Sequence, residues 1–268
     1  MPRDILNDIL ERKRRELAEL VATVPERLLR ERAEARVDRR PFRDALARPG
    51  AHGVNIVAEI KRASPSKGAI RPDLDPIEYA QAYERGGAAA LSVLTDHHYF
   101  LGSPEDLLQA RAATSLPVLR KDFIISTYQV YESAAMGADA VLLIARALSP
   151  DLLRECLGLS RELRLAPLVE VHSPEDLDRA TAAGATLIGI NNRDLSSFET
   201  DLSLAAQMAQ SLAPDQIAVA ESGIRTRADV EALLEAGIWN FLVGESLVRA
   251  PEPEVLLRHL LGCPDDGG

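Results

Sequence analysis

The chain has 268 residues, a formal net charge of −10 and an ordinary hydrophobic fraction of 46%. That length is enough to bury a sizeable core without disulfide bonds. The excess of acidic residues argues against a protein that holds nucleic acid on a broad basic surface, so an anionic ligand would need a local basic pocket. The two cysteines lack metal-binding or redox spacing, the charged N-terminus is no signal peptide, and no apolar run nears the length of a membrane span. We therefore expect a cytoplasmic protein without a membrane partner.

The first fifty residues have a pattern of their own. Apolar residues recur there at helical spacing among charges, which predicts a helix over about residues 3–22 and further helices at about 25–35 and 41–47. We expect residues 1–50 to form an N-terminal helical extension packed on a main domain of residues 51–268, as parts of a single domain. A separate helical module is the alternative.

From about residue 52 onward, short apolar runs alternate with amphipathic stretches. The apolar runs predict eight strands, at Asn55–Ile60, Ala89–Leu94, Pro117–Phe123, Ala140–Ala145, Pro167–Val171, Leu187–Asn191, Ile217–Ala220 and Asn240–Val243. The amphipathic stretches predict eight helices, at Pro76–Arg85, Pro104–Ala113, Thr127–Met136, Pro150–Arg164, Pro174–Ala183, Leu202–Leu212, Thr226–Ala236 and Glu254–Leu261. Continuous apolar strands flanked by helices are typical of a parallel sheet buried on both faces. Eight consecutive units predict an α/β fold of the (β/α)8 barrel type, whereas the alternative, an open doubly wound sheet, is weakened by the lack of a glycine-rich dinucleotide motif.

Polar residues are concentrated at the carboxyl ends of the predicted strands, where barrels of this kind hold their active sites. The main candidates are Glu59, Lys61, Ser64, Lys121, Glu170, His172, Asn191, Arg193, Glu221 and Ser222. A single lysine or glutamate at such a position is usually solvated or paired for structural reasons. So many charges directed into one mouth cannot all be structural without strong pairing. Strand alternation also places Glu59 and Lys61 on the same face.

Small residues follow the last two predicted strands. Their turns leave backbone N–H groups able to face a ligand, an arrangement that binds phosphate in many barrels. We therefore expect a phosphorylated small molecule, held by Ser222, Gly223, Gly244 and Glu245, the last through its backbone. The pair His97-His98 has no third candidate ligand at a spacing typical of metal sites, so no metal is expected.

Eight motifs of this sequence resemble those of the indole-3-glycerol phosphate synthase family. They are VAEIKRASPSKG, LTDHHYFLGS, LRKDFII, ADAVLLIA, LVEVH, IGINNRDLSSF, AESGI and FLVGESLVR, in the family's order and over most of the chain from about residue 40. The combination of EIKRASPS, RKDF and NNRDL is specific to it. Tyr99-Phe100 departs from the family's more frequent pair of phenylalanines, which concerns the packing of the substrate loop rather than the chemistry.

The resemblance implies a cofactor-free and metal-free reaction of tryptophan biosynthesis. In it, 1-(2-carboxyphenylamino)-1-deoxyribulose 5-phosphate undergoes ring closure, decarboxylation and dehydration to indole-3-glycerol phosphate, CO₂ and water. Lys121 is then expected to protonate the carbonyl oxygen that gains charge during ring closure. Glu170 and Lys61 are candidates for the dehydration, with Glu59 orienting Lys61, and the division of labour between the two lysines stays open.

The remaining candidates receive binding roles from the same resemblance. Arg193 and Ser64 are expected at the substrate carboxylate, a bidentate task for a guanidinium. Asn191 is expected to bind a substrate hydroxyl, and Phe100 and Phe123 to form the walls around the aromatic ring. Glu221 is expected to contact the sugar or Lys121. Ser222 is expected to have both a catalytic and a phosphate-binding role.

Two other functions compete with this interpretation. A phosphoribosylanthranilate isomerase, on the same kind of barrel, would use an Asp/Cys acid–base pair, but neither Cys156 nor Cys263 falls at a strand end. A non-catalytic phosphometabolite-binding protein would be indicated by loss of either lysine or of Glu170, and all three are present. We expect a monomer, with an oligomer left open.

Overall fold

The structure is a computed structural model that describes residues 5–194 and 198–264. The first residues of the first predicted helix, residues 195–197 of the NNRDLSSF motif and the last four residues lie outside the described part. None of the helices within it is long and apolar enough to cross a membrane.

Eight parallel strands close into a barrel, which confirms the predicted fold class. They are β1 (Asn55–Ile60), β2 (Ala90–Leu94), β3 (Val118–Lys121), β4 (Ala140–Ile144), β5 (Ala166–Val171), β6 (Leu187–Asn191), β7 (Ile217–Glu221) and β8 (Asn240–Val243). Each strand pairs with the next along the chain, and β1 pairs with β8 in the register Asn55↔Asn240. That last pairing excludes an open sheet.

Thirteen α-helices are present in the described part of the chain. They are α1 (Ile5–Thr23), α2 (Glu26–Ala35), α3 (Phe42–Leu46), α4 (Pro76–Arg85), α5 (His97–Phe100), α6 (Pro104–Ala113), α7 (Thr127–Ala135), α8 (Pro150–Glu162), α9 (Pro174–Ala182), α10 (Leu202–Ala209), α11 (Arg227–Glu235), α12 (Glu245–Arg249) and α13 (Pro253–Leu261). Several begin where the sequence places a hydroxyl before a proline. Ser103, Ser149 and Ser173 each accept a backbone N–H of the first turn, and the following proline needs no such bond.

Within the described residues the predicted bounds differ from the structure by two residues or fewer, apart from one helix end. The strand predicted to reach Phe123 ends at Lys121, because the Asp122 carboxylate accepts the N–H of Phe123 at 2.8 Å and turns the chain. The helix predicted to reach Leu212 ends at Ala209. The short helices α5 and α12 were not predicted, since four or five residues carry too little periodicity.

Strand alternation divides the side chains into an inner and an outer set. The outer set packs between the sheet and the helices, as Ile56 and Val169 do, and the inner set fills the barrel with Val57, Leu119 and Leu168. The strand-borne catalytic candidates stand two residues beyond inner side chains: Glu59 after Val57, Lys121 after Leu119, Glu170 after Leu168 and Glu221 after Val219. They therefore form the polar top layer of an otherwise apolar barrel interior.

The N-terminal segment contacts both ends of the barrel, and between them α2 packs on α7. Helix α3 buries Phe42 and Leu46 in the cluster that fills the barrel interior, and the Leu46 carbonyl accepts the Trp239 ring N–H at 3.4 Å, next to the start of β8. Helix α1 contacts the opposite end, where Ile5, Leu6 and Ile9 line a cavity. The division of the chain at residue 50 stays a prediction.

Candidate active site

A cavity of about 470 Å³ opens at the carboxyl ends of the strands. The candidate His172 lies outside its lining, and fourteen other predicted site residues line it: Glu59, Lys61, Ser64, Phe100, Lys121, Phe123, Glu170, Asn191, Arg193, Glu221, Ser222, Gly223, Gly244 and Glu245. They come from seven of the eight βα units, because parallel strands bring their carboxyl ends to one rim. The individual roles given to these residues stay predictions.

The Lys121 ammonium lies at the centre of this site. Its Nζ donates to Glu170 Oε2 at 2.7 Å and to Glu221 Oε2 at 2.5 Å, and the side chain is 11% exposed. Burial by itself lowers the pKa of Lys121, but the carboxylates of Glu170, Glu221 and Glu59 outweigh it and raise that pKa above the usual value. Lys121 is therefore a cation at neutral pH, with protons to donate.

The two carboxyl groups that share Lys121 differ in their surroundings. Burial favours the neutral form of Glu170, yet Lys121, His172 and a hydrogen bond from Asn191 outweigh it and lower the pKa of Glu170. Burial raises the pKa of Glu221, Lys121 opposes this, and the nearby Glu170 charge raises it further. Glu221 Oε1 is buried with no hydrogen-bond partner in the described residues. The environment therefore keeps Glu170 ionised and favours a proton on Glu221.

A second ion pair lies at the end of β1. Lys61 Nζ donates to Glu59 Oε1 at 2.5 Å, and Ser92 Oγ lies 3.5 Å from Glu59 Oε2. Gly244 packs directly against this pair: a Cβ atom there would overlap Glu59 Oε1 and lie 3.0 Å from Lys61 Nζ. Residue 244 must therefore be small for the Glu59–Lys61 pair to keep its position.

Asn191 and Arg193 follow one another along one rim of the cavity. Asn191 Nδ2 donates to Glu170 Oε1 at 3.3 Å, and its Oδ1 accepts the backbone N–H of Arg193 at 3.1 Å. The Arg193 guanidinium donates to the Phe198 carbonyl at 3.2 Å and lies 3.6 Å from Glu245. Asn191 thus connects the Glu170 carboxylate to a guanidinium that borders the cavity.

One wall of the cavity is apolar. The rings of Phe100 and Phe123 lie with their centroids 6.1 Å apart, tilted by 38°, and Ile5, Leu6 and Ile9 of α1 also face the cavity. This side of the cavity provides the kind of surface on which an aromatic ligand packs.

Helix α1 is held at the site by Lys13. Its Nζ lies 2.9 Å from Asp96 Oδ2 and 3.0 Å from Asp122 Oδ1, and all three side chains are buried. Burial opposes the charge on Lys13, but the carboxylates of Asp122 and Asp96 raise its pKa above the usual value. Asp122 directly follows Lys121, so the ion pair fixes α1 beside the central lysine.

The turns after β7 and β8 complete the cavity. Ser222 and Gly223 both adopt left-handed backbone conformations, with φ of +65° and +84°. The positive φ favours glycine at position 223, and a Cβ there would also lie only 3.1 Å from Leu202 Cδ2. Both turns therefore contribute small residues to the lining of the cavity.

Known proteins resemble this chain over nearly its whole length. The family model for indole-3-glycerol phosphate synthase matches residues 6–260. The chain is 57% identical to the indole-3-glycerol phosphate synthase of Syntrophobacter fumaroxidans over 260 residues, which cover 97% of this chain and 98% of that protein. It is 54% identical to that of Desulfosudis oleivorans, over 96% of this chain and 98% of that protein. The chain belongs to the indole-3-glycerol phosphate synthase family.

Membership of the indole-3-glycerol phosphate synthase family confirms the resemblance found in the motifs. It also confirms the predicted function as a carboxy-lyase of tryptophan biosynthesis. Among solved structures, the barrel is similar to thiamine phosphate pyrophosphorylase from Pyrococcus furiosus, with a TM-score of 0.60 and 16% identity over 83% of this chain and 96% of that one. At that identity the similarity concerns the fold alone.

The sequence predicts that the N-terminal helices pack on the barrel, but it assigns no residue of α1 to the site. In the structure, Ile5, Leu6 and Ile9 line the cavity, and Lys13 holds α1 there. Lys13 lies four residues beyond Ile9 and three beyond Leu10, so it carries a charge on the apolar face of the helix. That exception to the pattern was the available signal.

The residues around His97 and His98 do not form a metal centre. Across residues 5–194 and 198–264, no group of three or more His, Cys, Asp or Glu side chains could hold a metal ion. That the reaction proceeds without a metal or cofactor stays an expectation.

Proposed function

We propose that this chain forms indole-3-glycerol phosphate from 1-(2-carboxyphenylamino)-1-deoxyribulose 5-phosphate at the cavity described above. The observation that carries the assignment of roles is the Lys121 ammonium, held by Glu170 and Glu221 at the top of the barrel. The enzyme needs a proton donor and carboxylates around one substrate, with an apolar wall for its ring, and the cavity offers all three.

Ring closure is the step we assign to Lys121. The aromatic carbon that carries the carboxylate attacks C2 of the ribulose chain, and the carbonyl electrons move to oxygen. Lys121 donates a proton to that oxygen, which becomes a hydroxyl group. An alkoxide is far more basic than an amine, so a raised pKa on Lys121 does not prevent the transfer. The flanking carboxylates then favour rapid return of a proton to Lys121.

Decarboxylation and dehydration complete the reaction. The bond to the carboxylate breaks, CO₂ leaves, and its electrons restore the aromatic ring. The C2 hydroxyl then leaves as water while C1 loses a proton, which forms the indole double bond. We assign this proton transfer to Glu170 and Lys61, with Glu59 holding Lys61 in place.

The binding roles follow the chemistry of the substrate groups. Arg193 and Ser64 bind the carboxylate, and Phe100 and Phe123 flank the aromatic ring. The phosphate lies against the backbone of residues 222–223 and 244–245, where glycine permits close approach. The proposal also includes that the enzyme is cytoplasmic and monomeric, and gel filtration tests the oligomeric state.

The direct test is turnover by the purified protein. It is incubated with the carboxyphenylamino-deoxyribulose phosphate in EDTA, and indole fluorescence is recorded. Product in EDTA supports the reaction and a mechanism without an essential metal. A folded protein that binds this substrate without converting it would refute the catalytic proposal and favour a binding protein. An isomerase is disfavoured because Cys156 is buried in α8 and does not border the cavity.

A further inference from the structure

His172 stands directly behind the catalytic carboxylate, outside the lining of the cavity. It follows the last residue of β5, and its side chain is 3% exposed. The ring Nε2 lies 3.2 Å from Glu170 Oε1, the oxygen that does not contact Lys121. His172 therefore meets one end of the Glu170 carboxylate while Lys121 meets the other.

A fixed acidic group lies on the other side of the imidazole. His172 Nδ1 is 4.0 Å from Asp176 Oδ2, in the first turn of α9. That oxygen accepts Arg146 Nε at 2.8 Å and the backbone N–H of His172 at 3.0 Å. The result is a row of groups in the order Lys121, Glu170, His172, Asp176 and Arg146, in which the imidazole separates two ion pairs.

The hydrogen-bonding capacity of the imidazole ring is largely unused. Neither ring nitrogen has a hydrogen-bond partner of good geometry in the described part of the chain. Burying a ring in this way is costly, so its position calls for an explanation in terms of what it faces. Burial lowers the pKa of His172, Glu170 and Asp176 oppose that effect, and Arg146 and Lys121 add to it, so the ring is neutral at neutral pH.

We propose that His172 is a positioning residue that holds the Oε1 end of the Glu170 carboxylate, so that Oε2 stays directed at Lys121 and the substrate. This inference rests on the proposed role of Glu170 in proton transfer. Asn191 also contacts Oε1, at 3.3 Å, and together the two side chains restrain rotation of the carboxylate. Protonation of His172 places a cation against Glu170 and weakens Glu170 as a base. The reaction rate therefore decreases at acidic pH.

Steady-state kinetics of His172→Leu and His172→Gln test this role. Leucine removes the ring nitrogen, and we expect kcat to fall about 10- to 100-fold with KM unchanged, since a displaced catalytic group costs about that much. Glutamine keeps an N–H donor but does not titrate, so kcat should largely recover and the acid limb of the pH profile should move to lower pH. His52→Gln, at an exposed histidine before β1, is the matched control.

A second measurement does not depend on turnover. Titration of His172 by NMR in the wild type and in Glu170→Gln should show a lower pKa in the variant, because Glu170 favours the imidazolium. Wild-type kcat in His172→Leu, an unmoved acid limb in His172→Gln, or an unchanged His172 titration would each overturn the inference. If the wild type forms no product, the proposed function fails, and the titration still decides whether His172 and Glu170 are coupled.

Discussion

Replacing Lys121 with methionine removes the cation between two buried carboxyl groups. General acid catalysis is worth about 10²- to 10⁴-fold, so we expect kcat to fall by at least about 10³-fold once the electrostatic contribution is included. Glu170 and Glu221 would lose the partner that lies 2.7 and 2.5 Å away. Breaking a buried pair costs about 3–5 kcal/mol. For a chain of this size that corresponds to a Tm lower by about 6–20 °C, with the fold retained.

The pH dependence separates the two effects of this substitution. Without Lys121, burial raises the pKa of both carboxyl groups above their unfolded values, and such groups stabilise the fold at low pH and lose that contribution as pH rises. In the wild type, the pKa of Glu170 is lowered instead, so its contribution is present above the unfolded pKa and is lost on acidification. The stability deficit of Lys121→Met should therefore be small near pH 5 and large near pH 8.

Two assays check this prediction: initial rates by indole fluorescence and urea unfolding at both pH values. Lys121→Arg is the matched variant, because it keeps a cation but gives up its proton far less readily, so stability should recover more than kcat. A kcat within tenfold of the wild type in Lys121→Met would refute the assignment of the acid. An equal stability deficit at pH 5 and pH 8 would refute the charge argument.

Three further substitutions or modifications have expected outcomes. Lys13→Met leaves two buried aspartates without their shared cation, and we expect urea unfolding to show a loss of about 3–5 kcal/mol. Gly244→Ala introduces a Cβ that overlaps Glu59 Oε1, so kcat should fall about 100-fold through misplacement of the Glu59–Lys61 pair, as measured by indole fluorescence. Burial, with a smaller contribution from a neighbouring glutamate, raises the pKa of Cys156 to about 12, so a thiol reagent at pH 8 should modify Cys263 first in the folded protein.

One of these predictions has a matched control variant, and each has a result that would contradict it. Gly158→Ala lies inside α8, where an added Cβ meets nothing within 4 Å, and it should leave kcat unchanged. Full activity in Gly244→Ala would contradict the close packing against Glu59. A midpoint of urea unfolding for Lys13→Met equal to that of the wild type would mean that the buried cation contributes no net stability. Equal modification rates for both thiols would show that Cys156 is accessible.

The barrel was predictable because its strands are unambiguous in the sequence. Runs such as Asn55–Ile60 and Leu187–Asn191 are mostly apolar, and the structure reproduces their bounds. The strand-end rule also brought Lys121, Glu170 and Glu221 to one mouth. Which carboxylate contacts which lysine depends on the stagger of the closed barrel, and no local pattern contains that information.

The position of α1 could not be predicted for a similar reason. Helical periodicity shows which face of α1 is apolar, but it does not show what that face packs against. The contact with Asp96 and Asp122 joins residues far apart in the chain. The end of β3 was missed because a side chain, that of Asp122, competes with the strand ladder for the next N–H.

The pairing of β1 with β8 has a consequence for the newly made chain. Asn55 and Asn240, joined by a side-chain hydrogen bond of 2.9 Å, are 185 residues apart. At ribosomal rates, about 10–40 s pass between the synthesis of β1 and that of its last partner. During that time an apolar strand edge stays unpaired and open to other chains, a site of aggregation. The Glu59–Lys61 pair packs against Gly244, which follows β8. A chain interrupted before β8 therefore lacks a functional site, even when the rest of its barrel has folded.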